Sequence, residues 1–307
     1  MRIWMRRTLA AVLVMSLLLS GSVVFATESN ETQPTEAPAE TVSPTEAVQP
    51  TDAPEAEITE AATEPEPTEP EPTEPKYVVD TSTKLYKVCA ETAAELTYDQ
   101  VLVYDATNDK LIFSETREGS KLYPASVTKL FSSWVALQIM KPDDVVTVGD
   151  ELNLVHEGSS VASLRAGQRP YVRNLVEGMM LPSGNDAAIV LAVAAGRRLA
   201  EDETLGAEEA MYTFVDEMNR QAEELGFERS HFANPDGWHS GSHYTCLNDM
   251  ILIAKLALAD GTISRYIRRA KDDVTFASGQ IVTWENTNKL LNEEEPYYRA
   301  DNRALLR

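Results

Sequence analysis

The sequence predicts a helix-rich α+β domain that follows a long N-terminal extension. Two short β-rich runs, at 100–104 and 110–113, flank a turn of polar residues. After Pro124, apolar residues recur with helical spacing in several successive segments. Residues 27–75 contain no basic and no aromatic residue. The folded part is therefore expected at residues 76–307, a length that suits one domain.

The first residues are typical of an export signal. Arg2, Arg6 and Arg7 precede an apolar run over 9–19, and the small residues Val24 and Ala26 precede a predicted cleavage site. We therefore predict a signal peptide at 1–26 and an exported protein of the cell envelope. An uncleaved membrane anchor is the alternative, although the run is shorter than the ~20 residues of a membrane span.

Residues 27–75 are predicted to be a disordered linker. They contain 14 of the 49 acidic residues and 10 of the 16 prolines, and they end in a TEPEP repeat. Such a segment buries too little apolar surface to offset the entropy of ordering. It also carries most of the net charge of −22. With no basic patch elsewhere, the sequence excludes a nucleic-acid partner.

The predicted elements of the folded part are one hairpin and five helices. The turn Ala-Thr-Asn-Asp joins the two strands of the hairpin. The helices are one from Ser126 with apolar positions Val127, Leu130, Phe131, Trp134 and Val135; a second that ends near Met180; a buried third over 186–196; a fourth with Met211, Phe214, Val215, Met218, Ala222 and Leu225 that closes at Gly226; and a fifth from Thr245 with Leu247, Met250, Ile251 and Ala254.

A Ser-x-x-Lys pair opens the first of these helices. Ser126 and Lys129 lie one helical turn apart and share a face. A lysine whose pKa is lowered by burial can take the proton of a serine hydroxyl, and the helix N-terminus favours a developing oxyanion. Taken alone, the motif is more typical of a serine that caps a helix. The turn Leu181-Pro-Ser-Gly-Asn-Asp186 could place Ser183 and Asn185 in a cleft or could simply link two helices.

Other polar residues indicate no metal site and no cofactor. His239 and His243 are four residues apart, but Gly241 and two serines between them favour a loop over a metal-binding helix face. Cys89 and Cys246 could form a disulfide in an oxidising compartment, and sequence alone leaves this open. No Gly-x-Ser-x-Gly sequence occurs, which argues against a Ser-His-Asp hydrolase.

Several segments together resemble a known family. The chain resembles the serine-type D-alanyl-D-alanine carboxypeptidases, the low-molecular-weight penicillin-binding proteins, from about Tyr86 to Leu291. The matching segments are LYPASVTKL around Ser126, EGSS at 157–160, LPSGNDAA from Leu181, ELGFERSHFANPDGWHSGSHYT at 224–245 and WENTNKLL at 284–291. The resemblance implies a helix-rich β-lactamase and penicillin-binding transpeptidase-like fold with a central antiparallel sheet.

The resemblance also implies roles for four residues. Ser126 would be the nucleophile that is acylated by a peptidoglycan stem peptide ending in D-Ala-D-Ala, and Lys129 its general base. Ser183 would relay a proton to the leaving D-alanine, and Asn185 would hold Lys129 and the substrate amide. The main-chain N–H of Ser126 would form half of the oxyanion hole. β-Lactams would mimic the dipeptide and inhibit the enzyme.

One family motif is absent from the sequence. The family has a third motif, Lys-Thr-Gly, on a strand of its central sheet, and these 307 residues contain none. We therefore expect the chain to be the N-terminal portion of such a domain, without the last strands of its sheet. A catalytically impaired homologue that binds peptidoglycan or a partner is one alternative, and a class A-like β-lactamase is another. Peripheral membrane or cell-wall association stays open.

Overall fold

The computed structural model describes residues 79–95, 100–116, 121–294 and 298 of the chain. These residues belong to one compact unit. The predicted signal peptide at 1–26 and the predicted linker at 27–75 lie outside the described residues.

Helices dominate the part of the chain that the structure describes. The strands are β1 (Gln100–Asp105), β2 (Lys110–Thr116), β3 (Lys271–Thr275) and β4 (Ile281–Glu285). The helices are α1 (Lys84–Ala94), α2 (Thr128–Ile139), α3 (Val172–Met180), α4 (Asn185–Ala200), α5 (Ala207–Glu224), α6 (Leu247–Ala259) and α7 (Gly261–Tyr266), with 3₁₀ turns at Ala125–Val127, Asp150–Leu154 and Lys289–Leu291. The α+β class and its excess of helix are confirmed.

The hydrophobic core is centred on α4. The small apolar side chains of α4 let α2, α3 and α5 pack closely on this helix, and most of α4 is buried as the sequence predicts. Phe131 and Val135 of α2 are fully buried in this core, in agreement with the predicted helical spacing.

Two details of the helix prediction are wrong. Leu225 was expected on the buried face of α5, but it follows the last helical residue and is 37% exposed. Gly226 takes φ +76° as the predicted terminator. The fifth predicted helix begins at Leu247 rather than Thr245, because the main chain of Thr245 pairs with Leu122 in an isolated bridge.

Two separate hairpins form the sheets of the described residues. In the predicted one, β1 and β2 pair antiparallel with Val103 opposite Phe113, and α1 covers one face through Tyr86, whose ring lies 5.5 Å from Phe113. The second hairpin, β3–β4, was not predicted. It is attached to the helical core by Trp284, whose indole Nε1 donates to the carbonyl of Ala162 at 2.9 Å.

Two questions that the sequence left open concern the cysteines and the membrane. Cys89 and Cys246 are both free thiols, so they do not form a disulfide in this structure. Within the described ranges, none of the helices combines the length and the apolar character that a membrane crossing requires.

An ion pair between a partly exposed arginine and a buried glutamate connects the start of the β3–β4 hairpin to the core. The carboxylate of Glu177 in α3, only 2% exposed, accepts a hydrogen bond from Arg269 Nη1 at 3.2 Å. Burial raises the pKa of Glu177 to about 7, while the charge of Arg269 opposes the rise. Desolvation therefore outweighs the ion pair at this site.

We expect Glu177→Gln to flatten the pH dependence of stability. A folded-state pKa raised from 4.5 to about 7 gives a contribution that is complete below pH 4.5 and is lost as pH rises through 7. The shift corresponds to about 3 kcal/mol of unfolding free energy. Urea unfolding between pH 4.5 and 8 measures the effect. Glu223→Gln, at an exposed glutamate of α5, is the control, and an unchanged slope in Glu177→Gln contradicts the prediction.

Candidate active site

Ser126 lies in the 3₁₀ turn Ala125–Val127, which continues directly into α2. Its side chain is exposed, and its hydroxyl accepts a hydrogen bond from Lys129 Nζ at 3.0 Å. The hydroxyl does not cap the helix, so the interpretation as a capping serine is wrong. Ala125 has φ +46°, a backbone conformation that is strained for a residue with a side chain.

Lys129 is buried although it is a lysine. Its side chain is 1% exposed, and besides Ser126 its Nζ contacts the main-chain carbonyl of Asp236 at 2.8 Å. Burial lowers the pKa of Lys129 to about 8, and the negative charges of Asp236 and Asp186 oppose that change. An appreciable fraction of the amine is thus neutral near pH 7–8, as a general base requires.

A tight turn over residues 234–238, the Asp236 turn, lies against Ala125 and Ser126. Asn234 closes the turn: its Oδ1 accepts from the Gly237 N–H at 2.8 Å, and its Nδ2 donates to the carbonyl of Trp238 at 2.8 Å. Gly237 has φ +84°, and a Cβ there would lie 1.8 Å from the carbonyl oxygen of Ala125. Only glycine permits this approach.

Further hydrogen bonds attach the same region to the start of α2. Ser132 Oγ donates to the carbonyl of Pro235 at 2.8 Å. The buried ring of His243 accepts from the Ala233 N–H through Nδ1 at 3.1 Å, so its Nε2 carries the proton that is donated to Thr128 Oγ1 at 2.7 Å. Burial lowers the pKa of His243 to about 4, which keeps the ring neutral. His243 therefore has a structural role here.

Ser183 and Asn185 lie at the N-terminal end of α4. Ser183 has φ +59° and is partly buried, and its hydroxyl makes no hydrogen bond within the described part of the chain. Asn185 Nδ2 donates to Ser159 Oγ at 3.1 Å, and the Asn185 N–H donates to the carbonyl of Ser160 at 2.8 Å. Asn185 thus holds the EGSS segment. The expected contact between Asn185 and Lys129 is absent among the described residues, where Lys129 Nζ donates to the main-chain carbonyl of Asp236 instead.

Asp186, next to Asn185, fixes the segment that follows EGSS. Its buried carboxylate accepts from the N–H groups of Ala162 at 2.7 Å and Leu164 at 2.9 Å. Helix α4 therefore positions the whole 159–164 segment beside the candidate site, and its Asp186 charge reaches Lys129.

Two aromatic pairs involve residues of the segments that carry Ser126 and Asp236. The ring of Trp238, from the Asp236 turn, stacks on His156 with 4.6 Å between centroids and 17° between planes. The ring of Tyr123, three residues before Ser126, meets the His239 ring edge-on with 4.8 Å between centroids. Both Trp238 and Tyr123 are more than a third exposed. The segments next to Ser126 and in the Asp236 turn thus present partly exposed aromatic rings to solvent.

A comparison with known protein families identifies the family of this chain. A family model described as D-alanyl-D-alanine carboxypeptidase matches residues 87–300, more than half of the chain. The chain belongs to this carboxypeptidase family. The resemblance inferred from LYPASVTKL, LPSGNDAA and the other segments is thereby confirmed.

Individual relatives and structures agree with the family match. The chain is 32% identical over 189 residues to the D-alanyl-D-alanine carboxypeptidase DacC of Escherichia coli, covering 59% of this chain and 43% of the relative. It is 27% identical over 187 residues to DacF of Bacillus subtilis, covering 59% and 44%. The structure of the Streptomyces K15 DD-transpeptidase aligns with a TM-score of 0.56 and 27% identity, covering 65% of this chain and 78% of that one. The chain thus spans less than half the length of the two curated relatives.

The sequence predicted the pairing of Ser126 with Lys129 but not the second hydrogen-bond acceptor of Lys129. The structure brings Ser126 and Lys129 together as predicted. Asp236 was not predicted to take part, because its contribution to Lys129 includes a main-chain carbonyl, which any residue can supply. The signal that could have revealed it is the Asn-Pro-Asp-Gly sequence, which is typical of a tight turn that needs a defined geometry.

Proposed function

We propose that this protein is a serine-type D-Ala-D-Ala carboxypeptidase, which removes the terminal D-alanine from peptidoglycan stem peptides through an acyl-enzyme on Ser126. The observation that carries the proposal is the 3.0 Å contact between an exposed Ser126 hydroxyl and a buried Lys129 whose pKa is lowered to about 8. Family membership and the printed names of the relatives support the same activity.

In the proposed acylation, Ser126 Oγ attacks the carbonyl of the penultimate D-alanine while its proton passes to neutral Lys129 Nζ. The C–N bond then breaks, and the leaving amine takes up a proton, for which Ser183 is the proposed relay. Water hydrolyses the Ser126 ester, releases the shortened peptide and restores the hydroxyl. Lys129 is close enough to Ser126 to serve as the base without any movement.

The tetrahedral oxyanion would form beside the N-terminal end of α2. Among the described residues, no acceptor contacts the main-chain N–H of Ser126, which leaves that donor available for the oxyanion. A preorganised donor of this kind contributes ~10²–10³ in rate. Asn185, whose Nδ2 donates to Ser159 Oγ, is the proposed partner of the substrate amide.

We further propose that the protein acts outside the cytoplasm, where peptidoglycan lies. The basic and apolar leader at 1–26 and the acidic linker at 27–75 support this location. β-Lactams are the proposed inhibitors, because a strained amide that resembles the D-Ala-D-Ala end would acylate Ser126.

Labelling with a fluorescent penicillin tests the proposal. We expect the chain to be labelled covalently, and Ser126→Ala to remove the label completely because the acylated oxygen is gone. Ser133→Ala, at a buried serine of the same helix, is the matched control and should keep the label. Label that survives in Ser126→Ala would contradict the proposal.

Two further measurements separate the alternative functions. Rapid, repeated hydrolysis of nitrocefin would indicate a β-lactamase instead of a slowly deacylating carboxypeptidase. Binding of muropeptides without release of D-alanine would indicate a non-catalytic peptidoglycan-binding protein.

A further inference from the structure

The carboxylate of Asp236 is buried in a way that its turn does not explain. The residue is 2% exposed. Its Oδ1 accepts from the Trp238 N–H at 3.2 Å, whereas its Oδ2 is buried without a hydrogen-bond partner among the described residues. Burying a carboxylate oxygen without a partner is unfavourable, so such a group calls for a specific reason.

The turn itself is held by other groups. Asn234 makes two hydrogen bonds across it, each 2.8 Å long, and Ser132 Oγ binds the carbonyl of Pro235 at 2.8 Å. Against these, the single 3.2 Å contact of the Asp236 carboxylate adds little to the geometry of the turn.

The charged groups around Asp236 point to Lys129. The main-chain carbonyl of Asp236 accepts from Lys129 Nζ at 2.8 Å, which places the same residue's carboxyl group close to that amine. Burial raises the pKa of the Asp236 carboxyl, while Lys129 of α2 and His156 of the 155–160 segment oppose that rise. Lys129 in turn feels two acids, Asp236 and Asp186 of α4. Both oxygens of Asp186 already bind the N–H groups of Ala162 and Leu164. Asp236 is therefore the acid near Lys129 that keeps an oxygen free of hydrogen bonds within the described ranges.

We propose that Asp236 is a positioning residue for Lys129: its main-chain carbonyl holds the amino group against Ser126, and its buried carboxylate controls how readily that amino group loses its proton. The negative charge favours the ammonium form and so opposes the burial of the lysine, which favours the neutral form. Asp236 therefore raises the pKa of Lys129, so that a higher pH is needed before the amine is neutral and can act as the base for Ser126. This inference rests on the proposed role of Lys129 as general base.

The charge can be removed with little change of shape by Asp236→Asn. The test is an NMR titration of the protein labelled with ¹³C at lysine Cε, in which the Lys129 signal is assigned by its loss in Lys129→Met. We expect the titration midpoint of Lys129 to move to lower pH by roughly one unit in Asp236→Asn. A serine also suits such turns, so Asp236→Ser provides a second neutral variant if the asparagine variant fails to fold.

Ser132→Ala is the matched control, because it loosens the same turn at Pro235 without changing any charge. We expect its Lys129 midpoint to equal that of the unmodified protein. An unchanged midpoint in the neutral Asp236 variants overturns the inference, and so does an equal displacement in Ser132→Ala, since that would show an effect of geometry alone.

Acylation by the fluorescent penicillin, measured against pH, separates this inference from the proposed function. We expect the acidic limb of the rate profile to move in the same direction as the Lys129 midpoint in Asp236→Asn. A moved midpoint in a protein that is never acylated would leave the control of Lys129 by Asp236 intact and reject the proposed function. Acylation with an unmoved midpoint would reject the inference and retain the function.

Discussion

Replacing Lys129 with methionine is expected to remove catalysis and to make the fold more stable. In the proposed mechanism Ser126 then has no base, and loss of a general base typically lowers the rate by about 10²–10⁴-fold. The rate of acylation by a fluorescent penicillin measures this loss. The exposed Lys271 provides the control, and Lys271→Met should keep the original rate.

The gain in stability follows from the cost of burying the charged lysine. A pKa lowered from 10.5 to about 8 means that the folded protein at pH 7 is less stable by about 3 kcal/mol than with an unperturbed lysine. Methionine fills a similar space without charge, although two hydrogen bonds of ~1 kcal/mol each are lost. We expect a net gain of about 1 kcal/mol and a Tm higher by ~2–4 °C.

The pH dependence of stability should differ between the unmodified protein and Lys129→Met. Because the folded-state pKa of Lys129 is depressed, its unfavourable contribution is complete below about pH 8 and vanishes above 10.5. The unmodified protein should therefore gain stability as pH rises through this window, and Lys129→Met should not. A variant that loses stability at pH 7 while keeping acylation would contradict both parts.

Gly237→Ala is the second change with a large expected effect. The new Cβ would lie 1.8 Å from the carbonyl oxygen of Ala125 and 3.0 Å from the nitrogen of Ser126. Either the Asp236 turn or the 3₁₀ turn Ala125–Val127 must therefore move. A displacement of about 1 Å at a reacting group can lower the rate ~10²-fold. We expect a loss of at least that size in acylation, together with a marked fall in stability.

Gly226→Ala separates the steric contact from the backbone strain. Gly226 has φ +76°, close to the +84° of Gly237, but a Cβ there would meet nothing within 4 Å. Both variants carry the cost of a left-handed residue, about 1–2 kcal/mol, and the contact with Ala125 is confined to Gly237→Ala. Urea unfolding and acylation rates of the two variants should therefore differ, and equal values in both would contradict the steric argument.

Local patterns predicted the parts of the fold whose stabilising contacts are close in sequence. The i, i+3 spacing of Ser126 and Lys129 brings the two side chains together, and the apolar spacing of α2 identifies Phe131 and Val135 as core. The β1–β2 hairpin was likewise found from two β-rich runs and the turn between them.

The remainder depends on contacts that no local pattern reveals. Apolar and polar residues alternate only weakly in the β3–β4 hairpin. The hairpin is held in place by Trp284, which donates to the carbonyl of Ala162, 122 residues earlier in the chain. Asn185 was expected to contact Lys129, but the segment at Ser159 competes for its amide. Lys129 instead donates to the main-chain carbonyl of Asp236. The sequence does not reveal that the Asp236 carboxylate is buried, because its burial depends on the packing of the turn against α2.

The contact between Lys129 and Asp236 joins positions 107 residues apart, and this has a consequence for the order in which the protein matures. While the chain is being synthesised, Ser126 and Lys129 emerge long before the turn that buries the lysine. Before the turn packs against α2, burial does not lower the pKa of Lys129, so the amine is protonated at neutral pH. In the proposed mechanism, Ser126 therefore gains its base only after the Asp236 turn has packed against α2.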